Sequence, residues 1–167
     1  MRVGRLLAAA ALLVAAGCAA TPDDAEGGNV LGEPPTVVVA GDGTELALQA
    51  WAWCWTDATS GGCADGAPPD HPASIGSPDA VEITFPHEGW WFRATLVEST
   101  TDDCPRHILT NLSRETATTH RLEPVGPAGT WTVELVGDGP EGDLVVTFLW
   151  DTPVDGPVPA EQTGGCG

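Results

Sequence analysis

Short stretches in which apolar and polar residues alternate recur from residue 36 onward, and they predict β-strands. Val81, Ile83 and Phe85 alternate with Glu82 and Thr84, and alternation at a period of two is typical of a strand with one buried face. No stretch in this region keeps a helical period. Strands are predicted at 36–40, 44–55, 81–85, 90–96, 131–135 and 144–150, with weaker ones near 106–110 and 116–122.

Turn-forming residues separate these stretches. Gly41-Asp42-Gly43 and Pro86-His87-Glu88-Gly89 predict tight connections, and the acidic run 137–143 predicts a hairpin loop. Roughly seven or eight short strands with turns between them favour an antiparallel sandwich of two sheets. The fold class is therefore predicted as all-β.

The predicted strand at 44–55 places Trp51, Trp53 and Trp55 on one face. The chain has seven tryptophans, three phenylalanines and no tyrosine, so its core needs indole rings. We expect Trp51 and Trp53 to be core residues or to seal the rim. We expect Trp55, which is nearer to the Cys63 loop, to be partly exposed.

Residues 126–150, GPAGTWTVELVGDGPEGDLVVTFLW, resemble the last hairpin of bacterial immunoglobulin-like domains. Many of these domains carry a Pro-Ala-Gly-Thr-Tyr turn, in which the tyrosine packs at a corner before the penultimate strand. Trp131 stands at the position of that tyrosine. The resemblance implies an immunoglobulin-like sandwich in which the indole N–H replaces the tyrosine hydroxyl as donor, and it implies no functional residues.

The N-terminal residues have the pattern of an export signal. Arg2 and Arg5 precede the apolar run 6–16, which is too short to span a bilayer comfortably, and small residues follow it. The position of Cys18 after Ala15-Ala16-Gly17 resembles a bacterial lipoprotein signal, although Ala15 stands where leucine is usual.

That resemblance implies cleavage before Cys18 and attachment of lipid, such as palmitate, to its sulfur and amino group. The alternative is an ordinary secreted protein that is cut near Ala19 or Ala20. The absence of lysine and the abundance of alanine, glycine and proline resemble proteins of high-GC actinobacteria.

Three segments follow from this pattern. Residues 1–17 are predicted to be a signal peptide, and residues 36–167 the β-sandwich domain. Residues 18–35 combine the lipidated cysteine with a small, polar, acidic and Pro/Gly-rich stretch, which predicts a flexible tether.

The cysteine count supports the lipidated state. Five cysteines leave one unpaired, and lipidation of Cys18 leaves four, enough for two disulfides in an oxidising compartment. Four cysteines allow three pairings. We predict Cys54–Cys63, which are close across a Gly-rich loop, and Cys104–Cys166, which would attach the C-terminal tail to the domain. The chain contains no CxxC pair of the kind that binds zinc.

The net charge of the chain limits the classes of binding partner that we expect. All 24 acidic residues follow Cys18, where only four arginines oppose them. Such a surface argues against nucleic-acid binding and against electrostatic adhesion to anionic headgroups, and it favours a soluble monomeric domain.

Exposed tryptophans are the candidate ligand-binding residues. Alternation puts Trp91 on the face opposite to Trp90 and Phe92, next to Arg93. Trp55, Trp91 and Arg93 are therefore predicted as a platform on which sugar rings of a cell-wall glycan could stack. The alternative is that the aliphatic stem of Arg93 or the C-terminal tail covers Trp91.

Metal and catalytic chemistry have less support. His71, His87, His107 and His120 form no HxH or HExxH motif, although His107 and His120 would face each other if their strands paired. Asp57, Asp65, Asp70 and Asp79 surround turns without forming a calcium-loop motif. No serine lies in a Gly-x-Ser-x-Gly motif.

The sequence thus predicts a non-enzymatic lipoprotein on the extracytoplasmic face of the cell membrane. Its domain is expected to be a binding or structural module of the envelope, without cofactor or bound metal. Its expected partners are the membrane and either a cell-wall glycan or an envelope protein. The alternatives are a glycan-binding module and a divalent-metal-binding protein.

Overall fold

The computed structural model describes residues 32–99, 104–158 and 162–163, and twelve strands lie among them. In chain order the strands are β1 (Val37–Gly41), β2 (Thr44–Leu48), β3 (Ala52–Thr56), β4 (Gly61–Asp65), β5 (Val81–Thr84), β6 (Trp91–Glu98), β7 (His107–Asn111), β8 (Ser113–Arg114), β9 (Thr119–Leu122), β10 (Gly129–Gly139), β11 (Gly142–Thr152) and β12 (Gln162–Thr163).

The strands form two antiparallel sheets that pack face to face. The five-stranded sheet has the order β2-β1-β5-β9-β8, and the seven-stranded sheet has the order β12-β7-β6-β10-β11-β3-β4. The predicted all-β, two-sheet sandwich is confirmed. The predicted number of seven or eight strands was too low.

The strand order is that of an immunoglobulin fold. The run β1-β5-β9-β8 matches the A-B-E-D sheet, and β7-β6-β10-β11 matches C′-C-F-G. The immunoglobulin-like prediction is therefore confirmed. The other four strands lengthen the sheets at their edges: β2 extends the first sheet, and β3, β4 and β12 extend the second.

The predicted single strand at 44–55 is wrong, because the chain changes sheets within it. Thr44–Leu48 pairs with β1 in the five-stranded sheet, whereas Ala52–Thr56 pairs with β11 in the seven-stranded sheet. Gln49, Ala50 and Trp51 cross between them. No glycine or proline marks the crossing, so the sequence pattern runs through it without interruption.

The core lies between the sheets and consists mainly of residues that alternation predicted to point inward. These residues are fully buried on β5, β6, β10 and β11 or directly beside them, and the largest of their side chains are Phe85, Trp90, Phe92, Trp131, Phe148 and Trp150. Inward residues of neighbouring strands lie side by side in register, as Trp131 is paired with Trp150 and Val133 with Phe148 in β10 and β11.

Short turns set the register of the hairpins β1–β2 and β10–β11. Asp42 and Gly43, between β1 and β2, both have positive φ (46° and 79°), the backbone that a two-residue type I′ turn requires. The hairpin β10–β11 turns at Pro140-Glu141 alone, with Gly139 paired to Gly142. The predicted loop at 137–143 is thus shorter, because its flanking residues belong to the strands.

Trp131, near the start of β10, closes the corner that leads into this strand. Its Nε1–H donates to the Pro127 carbonyl (3.3 Å) and to Thr152 Oγ1 (3.2 Å). The predicted substitution of an indole donor for the tyrosine hydroxyl is confirmed, and the bond reaches back four residues along the chain.

The predicted signal peptide (1–17), the lipidation site Cys18 and the tail cysteine Cys166 lie outside the described residues. Of the predicted tether (18–35), only residues 32–35 are described, and Gly32 and Pro34 among them are buried.

Candidate functional site

Trp55, predicted to be partly exposed, is a core residue. Its side chain is 3% exposed, and it stacks on Trp90 with ring centroids 5.6 Å apart. Its β-strand turns it inward between the sheets, where Phe85 and His87 meet it edge-on. Trp55 therefore contributes to stability and is unavailable to a ligand.

A carboxylate closes this end of the core. Glu141 Oε2 accepts the Trp90 Nε1–H bond at 2.7 Å, and its Oε1 lies 3.1 Å from His87 Nδ1. The indole donor, followed by the histidine, holds the pKa of Glu141 below its usual value against the opposing effect of burial. The arrangement satisfies the polar end of a buried tryptophan.

Trp91 is exposed, as predicted, and it is separate from Trp55. Its side chain is 47% exposed on the outer face of the seven-stranded sheet, and Arg93 Cζ lies 5.6 Å from its ring centroid. This distance is typical of a cation–π contact. Across the sheet Trp91 is paired with Asp138, and Arg93 with Asn111. The structure thus brings Trp91 and Arg93 together and leaves Trp55 out.

A groove that the sequence did not reveal lies where the chain changes sheets. It encloses about 380 Å³ and is lined by Gln49, Trp51, His71, Ala73 and Thr147, among others. Trp51 is half-buried, whereas Gln49 and His71 at the groove are exposed. Only a break in the predicted strand 44–55 would have pointed to this groove.

Trp51 is fixed in the groove by its polar end. Its Nε1–H donates to Thr147 Oγ1 at 3.0 Å, on the neighbouring strand β11. Its backbone N–H donates to the Val145 carbonyl, and its carbonyl accepts from Gly66. The rest of the indole is an apolar surface of fixed position. The expectation that Trp51 and Trp53 would belong to the core or rim agrees with their intermediate burial.

The histidines lie apart. His107 is on β7 of one sheet and His120 on β9 of the other, so the predicted possibility of their facing each other is wrong. His71 is exposed, and His87 is paired with Glu141. Among the described residues, no three or more His, Cys, Asp and Glu side chains are grouped closely enough to hold a metal ion.

His120 is buried under the aromatic end of the core. Its Nε2 lies 3.2 Å from the Trp90 carbonyl, to which Arg114 also donates, and its Nδ1 is buried without a hydrogen-bond partner. Burial lowers the pKa of His120, and the charge of Arg114 lowers it further, against the raising effect of the bond to Trp90. The imidazole is therefore neutral at pH 7.

Asp57 organises the β3–β4 turn. Its carboxylate accepts from the backbone N–H groups of Thr59 (2.7 Å) and Ser60 (2.8 Å) and from both hydroxyls. These bonds, Thr59 first, lower the pKa of Asp57. The turn is flanked by the two cysteines of the predicted Cys54–Cys63 disulfide, which joins directly opposed residues of β3 and β4.

Cys104 is also disulfide-bonded. Its predicted partner, Cys166, lies outside the described residues. Strand β12 pairs with β7 in the register Thr163 to His107. The predicted pairing of Cys104 with Cys166 stays a prediction.

No protein-family model, curated protein or solved structure matches this chain. In the part of the chain that the structure describes, no helix has the length and apolar character needed to cross a membrane.

Proposed function

We propose that this chain is a lipid-anchored module of the bacterial cell envelope that binds a ligand or partner and performs no catalysis. The proposal rests on the export signal before Cys18 together with the disulfide-bonded, immunoglobulin-like domain. Disulfides persist in oxidising compartments. The observation that carries the proposal is the Cys54–Cys63 bond in a domain that follows the predicted export signal.

The anchor is tested by comparing the natural protein with the variant Cys18→Ser. We expect the natural protein to sediment with membranes and to enter the detergent phase of a phase-separation assay. The variant should move to the aqueous phase, because one or more acyl chains supply the membrane affinity. Equal distribution of the two proteins between the phases would contradict lipid anchoring.

A second candidate function, glycan binding, is favoured by Trp91. A tryptophan that is 47% exposed and lies under an arginine on a sheet face offers a flat ring with polar neighbours. Asn111, which is exposed and pairs with Arg93 across the strands, supplies an acceptor and donors for sugar hydroxyls.

Titration with cell-wall glycan fragments, followed by tryptophan fluorescence, tests this candidate. We expect saturable binding that is lost in Trp91→Ala. The matched control is Leu109→Ala, because Leu109 is 49% exposed on the adjacent strand but has no ring to stack. Equal affinity of both variants and the natural protein would remove Trp91 from the site.

A further inference from the structure

The side chain of Arg93 has no acceptor among residues 32–99, 104–158 and 162–163. It forms no ion pair or hydrogen bond there, and its contact is with the ring of Trp91, 5.6 Å from Cζ to the centroid. The indole N–H of Trp91 donates to nothing in this part of the chain either. Guanidinium and indole groups carry donors and no acceptor. The pair therefore presents a positive charge and unused N–H donors on the outer face of the sheet.

The other arginines of the described chain have acceptors. Arg106 and Arg121 each pair with a glutamate, and Arg114 donates to a backbone carbonyl. Four indole N–H groups also reach an oxygen, those of Trp51, Trp90, Trp131 and Trp150. Arg93 and Trp91 are thus set apart from the side chains whose donors the fold itself uses.

The two sides of Arg93 differ in charge. On β7, Asn111 lies directly opposite and is exposed, and its amide adds further donors. On β10, the opposite residue is Val136, and the acidic Asp138 lies opposite Trp91 without forming an ion pair to Arg93. An anion is therefore best accommodated on the Asn111 side of the guanidinium.

The Trp91 ring adds an apolar surface beside this cation. Its side chain is 47% exposed with the guanidinium in place, so part of the ring stays uncovered. The C–H face of a sugar ring packs on such a surface. A carboxylate attached directly to that sugar ring lies within reach of the neighbouring guanidinium, which binds carboxylates through two parallel hydrogen bonds.

A carboxylate fits this position better than a phosphate. The chain has a formal net charge of −18, which opposes the approach of any anion. A phosphate monoester carries about −1.5 to −2 charges at pH 7, so it meets more repulsion than a singly charged carboxylate. Charges beyond about 8 Å are largely screened at physiological ionic strength, so the direct contact with Arg93 outweighs the distant acidic residues.

We propose that the Trp91–Arg93 pair binds an acidic glycan through a sugar of the uronic-acid type. The sugar ring packs on Trp91, and its carboxylate accepts hydrogen bonds from Arg93 and from the Asn111 amide. The inference rests on the proposed glycan-binding function and names the class of ligand for that same site.

The test is an NMR titration of the whole ¹⁵N-labelled chain with cellobiouronic acid, in which one glucose of cellobiose is replaced by glucuronic acid. We expect saturable shifts of the Trp91 indole N–H and of the Asn111 side-chain amide. Cellobiose, which differs only in lacking the carboxylate, should bind roughly tenfold more weakly, because Arg93 then gains no charged acceptor.

Three variants locate the preference. Arg93→Gln should bind the two disaccharides equally, because the cation is removed while Trp91 remains. The matched control is Arg121→Gln, which removes the same charge from an exposed position on β9 of the other sheet and should keep the preference. Trp91→Ala should lose binding of both disaccharides.

The outcomes separate this inference from the broader function. Equal binding of the two disaccharides by the natural chain, or a preference that survives in Arg93→Gln, would overturn the acidic-sugar assignment and leave glycan binding standing. Tighter binding of glucose 6-phosphate than of glucuronic acid would overturn the choice of a carboxylate. No shift at millimolar concentrations of either disaccharide would overturn both the inference and the glycan-binding function.

Discussion

Gly139 is the position where one added methyl group should disturb the core most. It lies on β10, at the inward side, under the ring of Trp90. A Cβ at this residue would overlap Trp90 Nε1 and lie 2.5 Å from Trp90 Cδ1. Trp90 cannot move aside easily, because it is fully buried and its ring centroid lies 4.6 Å from that of Phe85 and 5.6 Å from that of Trp55. Gly139→Ala therefore forces the indole out of its place.

Three contributions determine how much the free energy of unfolding falls in Gly139→Ala. Overpacking of a well-packed core costs about 1–3 kcal/mol. Displacing the indole also weakens its 2.7 Å bond to the Glu141 carboxylate, and a hydrogen bond to a charged group contributes about 1.5–3 kcal/mol. Replacing glycine stabilises through the unfolded chain by about 0.4–1 kcal/mol. The net loss should be about 2–4 kcal/mol, a fall in Tm of about 10 °C.

Urea denaturation followed by tryptophan fluorescence measures this loss. The matched control is Gly62→Ala on the exposed strand β4, where a Cβ would meet only the Trp53 ring at 3.6 Å. The control should change the free energy of unfolding by less than about 1 kcal/mol. If Gly139→Ala were as stable as the control, the packing account of this end of the core would be wrong.

Three further predictions concern pH, the corner tryptophan and the second disulfide. Because burial lowers the pKa of His120, the unfolded chain takes up a proton at a higher pH than the folded one. The contribution of neutral His120 to the free energy of unfolding is fully present above about pH 6.5 and should decline as the pH falls below it. In urea titrations at pH 7.5 and 5.5, His120→Gln should lose less stability between the two pH values than the natural protein does. Trp131→Phe removes the donor to Pro127 and should lower the free energy of unfolding by about 1–3 kcal/mol, as measured by thermal denaturation. Adding salt should leave this difference unchanged, because the lost hydrogen bond joins two uncharged groups. Non-reducing peptide mapping should recover Cys104 linked to Cys166, and any other partner of Cys104 would refute the pairing.

The strands with alternating residues could be predicted because a single physical requirement determines which of their side chains are apolar. Over residues 81–85, 92–96, 131–135 and 144–150, each inward position is apolar and buried, as at Leu135 and Val146. Strands in the middle of a sandwich must bury one face and expose the other, and the sequence records that requirement directly.

The edge strands were not predictable by the same rule. Gly61–Asp65 is exposed throughout, so no apolar period marks it, and Thr44–Leu48 was predicted only as part of a longer strand. The change of sheet at Gln49–Trp51 leaves the alternation apparently intact. Pairing with β1 on one side and β11 on the other, rather than side-chain pattern, defines these elements.

The candidate site was predicted in part. Alternation placed Trp91 outside and Arg93 beside it, and both expectations hold. Proximity to the Cys63 loop suggested that Trp55 would be exposed, but the strand turns its side chain inward. The groove at Trp51 is lined by residues from segments that are distant in the chain, among them Gln49, His71 and Thr147, and no local pattern shows such a meeting.

The most direct test of the central proposal is mass spectrometry of the N-terminal peptide of the natural protein purified from cell membranes. The proposal predicts a peptide that begins at Cys18 and carries acyl groups on its sulfur and amino group. A peptide that retains the leader, or one that begins after Cys18 without lipid, would contradict it.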